Sequence, residues 1–332
     1  MQAGRRRMAR GRDAARVILT LTPNPSLDLT YGLDGLARGG VQRAASMTVE
    51  AGGKGINVSR NLVANGAASL AVAPVGGPSG EQFLSLLEGL GMDLVCVPVD
   101  GAVRMNVAIA EVGGVLTKIN ASGPSLSDGE LDLLLGKTAE AGQDAEWLAV
   151  CGSLPPDAPA DLYARAVSLG REAGCRVAVD SSGPTLEAAV GAGPDLIKPN
   201  HEELADLLGR PLATLGEVLS AAREVRAGGV GAVLVSLGAD GALLVEGDGT
   251  LHADTPPFVP ASTVGAGDAL LAGFLYAGGA GGAALVEAVA WGAAAARLPG
   301  SRGPTPPDLD REAVRLHEDP DLAKVLKGEA PG

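Results

Sequence analysis

Short apolar runs alternate with helix-patterned segments along almost the whole chain, and this alternation limits the fold more than any other feature. Runs at 17–21, 70–73, 94–97, 147–150, 176–179, 196–197 and 232–236 have strand length. Helical periodicity is predicted over 55–64, 81–90, 161–173, 202–208, 215–226, 266–277 and 283–297. Strands that alternate with helices build a mostly parallel sheet with helices on both faces. Two stretches, 29–50 and 103–119, break the pattern. They read as short strands joined by glycine-rich turns, the arrangement of a cover over a ligand crevice.

The core that such a sheet needs must be built from Ala, Val and Leu. Hydrophobic residues make up 46% of the 332 residues, but aromatic residues only 2%. The 49 glycines and 22 prolines are spread along the chain, so they mark frequent tight turns rather than a disordered tract. The formal charge of −13 is uneven. Residues 1–16 hold six arginines and one acid, Asp13, which leaves 20 basic and 38 acidic residues in the rest. A body this acidic repels nucleic acid and anionic lipid, so neither is an expected partner. Residues 1–16 are expected to be a disordered basic extension, 17–316 one domain, and 317–332 a charged peripheral tail. No run of 18 uncharged apolar residues predicts a membrane span. Cys96, Cys151 and Cys175 have no metal spacing, and their odd number argues against a disulfide framework; a reducing cytoplasm is the expected location.

Chemistry concentrates in a few segments. Val264-Gly265-Ala266-Gly267-Asp268 opens a predicted helix. Small residues at a helix N-terminus let backbone N–H groups converge on an anion. A carboxylate there can also take a proton from an attacking hydroxyl. Gly265, Ala266 and Gly267 would form the N–H nest and Asp268 would be the base. The same residues also read as a glycine-rich turn with a capping Asp. Gly52-Gly53-Lys54-Gly55-Ile56-Asn57-Val58 looks like a phosphate loop but lacks the GxxxxGK[ST] spacing. Its alternative reading is a helix start with a solvated lysine. His201 stands beside Glu202 and Glu203, but adjacent helix residues face different ways and converge poorly on a metal.

Together with Pro23-Asn24-Pro25-Ser26-Leu27-Asp28, these segments resemble the ribokinase-like, or phosphofructokinase B, carbohydrate kinases over about residues 17–305. Lys198-Pro199-Asn200-His201-Glu202-Glu203 is similar to the family's N-x-x-E element, and Ser236-Leu237-Gly238-Ala239-Asp240-Gly241 to its nucleotide strand-turn. The resemblance implies a three-layer α/β/α sandwich with a mostly parallel central sheet and a small β-lid, whose strands would fall within 29–50 and 103–119. Thr22-Pro23-Asn24-Pro25, the GGKG form, Arg104-Met105-Asn106 and Thr117-Lys118-Ile119-Asn120 resemble most the branch of 1-phosphofructokinases and tagatose-6-phosphate kinases. That branch implies transfer of the γ-phosphoryl group of ATP to a phosphorylated ketohexose, first of all D-fructose 1-phosphate. The alternatives are tagatose 6-phosphate, fructose 6-phosphate, or an inactive sugar-phosphate sensor.

The resemblance also implies residue roles. Asp28 and Asn57 would bind sugar hydroxyls, and Gly53 would allow close backbone approach. Lys54, Arg104, Asn106 and Lys118 would hold the existing phosphate. Only six lysines occur against twenty arginines, and Lys54, Lys118 and Lys198 fall on these motifs. Lys198 would touch the transferring phosphate, while Asn200 and Glu203 would order Mg²⁺. Ser236, Gly238 and Gly241 would bound the nucleotide site, with Ala293 and Ala294 as a flat wall near adenine. Lid-to-lid pairing would give a homodimer, as the apolar Leu33, Leu36, Val41, Val107 and Ile109 lack a helix to cover them. Three positions depart from the family: Ala269 follows the base, Ala121 follows Lys118-Ile119-Asn120, and Cys151 precedes Gly152.

Overall fold

The computed structural model describes residues 17–327, so the basic extension at 1–16 lies outside the described residues. The first half of the chain forms β1 (Ile18–Leu21), β2 (Ser26–Leu33), β3 (Ser46–Gly52), α1 (Lys54–Ala64), β4 (Ser69–Val75), α2 (Gly77–Gly89), β5 (Asp93–Pro98), β6 (Arg104–Glu111), β7 (Leu116–Ile119), α3 (Asp128–Gly142) and β8 (Trp147–Cys151). The second half continues with α4 (Leu162–Glu172), β9 (Arg176–Asp180), α5 (Gly183–Gly191), β10 (Leu196–Ile197), α6 (His201–Leu208), α7 (Leu215–Ala227), β11 (Ala232–Ser236), β12 (Ala242–Glu246), β13 (Gly249–Asp254), α8 (Ala266–Tyr276), α9 (Gly281–Arg297) and β14 (Arg315–His317).

Among these, one sheet has ten strands in the order β14-β13-β12-β11-β10-β9-β8-β1-β4-β5. The seven strands from β5 to β11 are parallel, and β12, β13 and β14 add antiparallel at one edge. The central strands are unbroken apolar runs because both faces are covered. On β8, Leu148 and Val150 join the core beneath α3 to α7, while Trp147, Ala149 and Cys151 join the core beneath α8 and α9. The second face is rich in small residues: Ala149, Ala178, Ala242, Ala253, Ala269, Ala272 and Ala288 are all fully buried there, beside larger ones such as Leu234, Leu244, Phe274 and Trp291. Sheet and helices can therefore approach closely.

The chain moves outward from β1 to β4 and β5, then returns to β8 on the other side of β1. Strand order thus reverses between β1 and β8. In an open parallel sheet, the connections leaving the carboxyl ends part at such a point and leave a crevice.

A separate four-stranded sheet, β3-β2-β6-β7, stands over that end. Its pairing register sorts the side chains, since directly paired residues share a face. Asp28 pairs with Glu50 and Asn106, and Lys118 with Ala108, which makes one face polar. Leu29 pairs with Val49 and Val107, Tyr31 with Met47 and Ile109, and Val107 with Ile119, which makes the other face apolar. Leu36 and Val41 lie on the irregular connection between β2 and β3 rather than on a strand.

Three features depart from the sequence expectation. Helices α3 and α5 and the antiparallel edge β12–β14 stand where no element was predicted. Helix α2 begins at Gly77, four residues early, with proline in its first turn, where a missing N–H costs nothing. The stretch after 317 lies on the surface but is tied down. Leu215 N–H donates to Lys324 O (3.0 Å) and Leu326 N–H to Ala213 O (2.9 Å).

Candidate active site

The carboxyl ends of β1, β8 and β9 and the start of α1 enclose a cavity of about 280 Å³, roofed by β6. Thr22, Asn24, Lys54, Arg104, Asn106, Gly152, Ser153 and Glu203 are among its lining residues. Thr22 Oγ1 and Asn24 Oδ1 are buried and have no hydrogen-bond partner among the described residues. Buried polar atoms are rarely left so, and these two face Gly55 and Gly123.

Beside the cavity lies a compact charge cluster. Asp180, the last residue of β9, is fully buried. Lys54 Nζ is 2.8 Å from its Oδ1, and Lys198 Nζ is 3.1 Å from its Oδ2. Burial pushes the Asp180 carboxyl up, but the two ammonium groups outweigh burial and hold it below its ordinary value. Burial likewise opposes the charge on Lys54, yet Asp180, Glu203 and Asp268 raise it above its ordinary value. Asp180, Glu203 and Asp268 thus hold Lys54 charged, and Lys198 shares the Asp180 carboxylate with it. Sequence reasoning missed Asp180, although an acid directly after a buried parallel strand points at the ligand end of the sheet.

Asp268 sits in the first turn of α8 and is 7% exposed. Gly265, the residue that caps this helix, adopts φ 77°, a left-handed conformation that favours glycine. The first amides of a helix lack intrahelical acceptors; Ala266 N–H reaches Thr263 O at 3.4 Å, and the next amides of the turn suit an anion. Asn57 Nδ2 donates to Asp268 Oδ2 at 2.8 Å. Burial raises the Asp268 pKa, and the nearby Asp180 charge raises it further. Lys54, the Asn57 hydrogen bond and Lys198 pull the other way, and the result is about 6. Asp268 is not on the cavity wall; its charge acts on Lys54, which is.

The lid contributes Asp28, which accepts from Ser26 Oγ (2.7 Å) and Asn106 Nδ2 (2.9 Å). Gly52 faces Asp28 so closely that a Cβ there would lie 2.1 Å from Asp28 Oδ2. Gly53 has φ 115°, and its added Cβ would lie 2.7 Å from Thr22 Cγ2. Its glycine is therefore required by the protein's own packing, whereas a ligand was expected to require it. Arg104 spends Nη1 on Ala121 O (2.9 Å) and Nη2 on Asn24 O (3.0 Å), and it ties the lid to the end of β1.

The expected cluster of Lys54, Arg104 and Lys118 is only partly assembled. Lys54 and Arg104 line the same cavity, but Lys118 is exposed on β7, on the lid's polar face and outside the lining. Asn200 and Glu203 form a reciprocal cap on α6: Glu203 N–H donates to Asn200 Oδ1 (2.7 Å) and Asn200 N–H to Glu203 Oε2 (2.9 Å). Glu203 Oε1 lies 3.8 Å from Lys54 Nζ and faces the cavity. Ser236, Gly238 and Gly241 surround the turn after β11, and Ala293 is half-buried on α9. Ala294, expected to share a wall with it, is 2% exposed and turned into the protein, because successive helix residues point about 100° apart.

Known proteins are similar to this chain along most of its length. The model of the pfkB family of carbohydrate kinases matches residues 22–304. A 1-phosphofructokinase of Rhodobacter capsulatus is 39% identical over 262 residues, which cover 78% of this chain and 83% of that protein. A 1-phosphofructokinase of Bacillus subtilis is 34% identical over 259 residues, with 78% and 84% covered. The crystal structure of phosphofructokinase-2 from Escherichia coli in complex with potassium superposes with a TM-score of 0.84 and 33% identity, covering 89% of this chain and 97% of that one.

Proposed function

The chain belongs to the pfkB family of carbohydrate kinases, and on that premise we propose that it is an ATP-dependent 1-phosphofructokinase. It moves the γ-phosphoryl group of ATP to the C6 hydroxyl of D-fructose 1-phosphate and yields fructose 1,6-bisphosphate and ADP. One observation carries this reading: Asp268, a buried carboxylate at a helix N-terminus, stands beside a second buried acid, Asp180, that Lys54 and Lys198 both contact.

A sugar hydroxyl is a weak nucleophile, and Asp268 takes its proton as the phosphoryl group arrives. With a pKa of about 6, Asp268 is ionised at neutral pH yet more basic than a solvated carboxylate. The amides of Ala266 and Gly267 stabilise charge on the transferring group, and the Lys198 and Lys54 ammonium groups add to that field. Asp28, Asn57 and Asn106 orient the sugar, while Arg104, Lys54 and, from further out, Lys118 attract its phosphate. Ser236, Gly238 and Gly241 bound the nucleotide, and Ala293 alone stands near the base.

Mg²⁺ favours hard oxygen ligands beside phosphates, and Glu203 Oε1, at the cavity and only loosely paired with Lys54, suits it. Asn200 supports that carboxylate through the α6 cap, its own oxygen being already engaged. When bound, Mg²⁺ neutralises phosphate charge. An inactive sensor needs no base, so the cost of burying the Asp268 charge argues for catalysis.

The lid's apolar face favours a homodimer built lid to lid. Met47, Met105 and Ile119 are 56%, 46% and 59% exposed there. Light scattering that finds only active monomer at working concentration refutes that assembly. The substrate assignment is tested by coupled ADP release with fructose 1-phosphate, fructose 6-phosphate, tagatose 6-phosphate and free fructose. The highest kcat/KM is expected with fructose 1-phosphate. A preference for a 6-phosphate moves the acceptor to the other end of the sugar, and a preference for free fructose removes the sugar-phosphate reading.

A further inference from the structure

The turn after β11, on which the nucleotide role rests, is held from outside by the final described stretch of the chain. Strand β14 pairs with β13, and His317 stacks on His252 with ring centroids 5.3 Å apart. The chain then crosses to the start of α7, where Gly216 N–H donates to Leu322 O (3.0 Å) and Val325 bridges Thr214. Its last described residues meet Asp240, a buried residue between Gly238 and Gly241. Lys327 N–H donates to Asp240 Oδ2 (2.9 Å), and Lys324 Nζ lies 3.1 Å from Oδ1. Both carboxylate oxygens of the turn are therefore held by this one segment.

The second wall of the turn is held too. Lys324 Nζ is 3.9 Å from Asp254 Oδ2, and Arg315 Nε is 3.0 Å from Asp254 Oδ1. Gly241 lies against this strand: an added Cβ would be 1.9 Å from Ala253 O and 2.8 Å from Asp254 Cα. His252 Nε2 is 2.8 Å from the Asp240 carbonyl oxygen. His252, Asp254 and His317 group closely enough to suggest a metal site, but Arg315 and Lys324 already neutralise Asp254.

We infer that residues 315–327 form a strap that sets the shape of the nucleotide turn, with Lys324 as a positioning residue for ATP affinity. This rests on the reading of Ser236, Gly238 and Gly241 as the nucleotide side of the kinase. A buried carboxylate that loses its ammonium partner must find water or another donor, and the turn that carries it must move. The charge cluster around Asp180 is built on other strands, so the chemical step is spared.

The test compares Lys324→Ala, Lys324→Gln and Lys324→Arg with the wild-type chain. Lys324→Ala should raise KM for ATP about five- to ten-fold, within the range of linked-site couplings, while kcat and KM for fructose 1-phosphate stay within about two-fold. Lys324→Gln keeps most of the stem and should show the same split; Lys324→Arg should restore ATP affinity. Linkage is reciprocal, so ATP should slow hydrogen exchange at Lys327 and Leu326 in the wild type, and fructose 1-phosphate alone should not. An unchanged KM for ATP in a folded Lys324→Ala or Lys324→Gln protein overturns the strap, as does exchange at 326–327 that ignores ATP. If the wild type transfers phosphate to none of the sugars, the kinase reading itself fails, and the strap's role falls with it.

Discussion

Replacing Asp268 by Asn separates proton removal from the rest of what this side chain does. Asn keeps the size and an oxygen that can accept from Asn57, but it cannot act as a base at neutral pH. Loss of a placed base should lower kcat by about 10²–10⁴-fold, with ATP and sugar affinities within a few-fold. The same change should stabilise the protein. Asp268 has a folded pKa of about 6 against an ordinary value of 3.8, caused first by burial and then by the Asp180 charge. A carboxyl whose folded pKa is raised binds its proton more tightly when folded. Its penalty is therefore absent below the unfolded value, grows as pH climbs toward about 6, and is complete above it. At about 1.4 kcal/mol per pKa unit the full penalty is on the order of 3 kcal/mol, or a few degrees in Tm. Thermal unfolding of both proteins from pH 4 to 8 should show Asp268→Asn gaining on wild type between pH 4 and 6 and level thereafter. A Tm difference that ignores pH, or a folded variant that retains more than about a tenth of wild-type kcat, would falsify the assignment of Asp268 as a buried base.

Asp180→Asn should leave Lys54 and Lys198 facing each other without their shared acid; a loss of about 3–5 kcal/mol is expected in denaturant unfolding, and a loss under 1 kcal/mol contradicts the buried-pair account. Gly52→Ala drives a Cβ into Asp28, so it should raise KM for the sugar phosphate and cost roughly 1–3 kcal/mol in stability, whereas an unchanged KM removes Asp28 from sugar binding. Arg104→Ala should raise KM for fructose 1-phosphate and leave KM for ATP nearly unchanged; equal effects on both would mark Arg104 as a lid fastener alone.

The central sheet was legible because strands buried on both faces are apolar throughout, as at 147–150 and 176–179. The edge was not. Strand β14 (Arg315–His317) holds its place through backbone pairing and polar contacts, which leave no apolar pattern. Helix α3 did carry a signal: Ser127 and Glu130 form a reciprocal cap that the S-x-x-E spacing announces. At the site, Asp268, Lys54 and Lys198 were singled out through their motifs. Asp180, which both lysines contact, was not, because it meets them from β9 while they come from the start of α1 and the end of β10. Nor could sequence tell that Glu203 faces the cavity while Lys118 stands outside it, since both are charged residues in resembling motifs.

The layer of alanines between the sheet and helices α8 and α9 works as a spacer of fixed thickness. Where alanines face each other, larger side chains such as Leu234, Leu244 and Phe274 fill the space beside them. The stand-off of helix α8, and of Asp268 at its start, follows from how these sizes fit together. A methylene added at Ala149, Ala178 or Ala272 overpacks that layer, and the strain falls on the helix that carries the proposed base. Transfer chemistry depends on alignment within fractions of an ångström. Catalytic rate in this protein is therefore a gauge of packing at sites that no substrate touches.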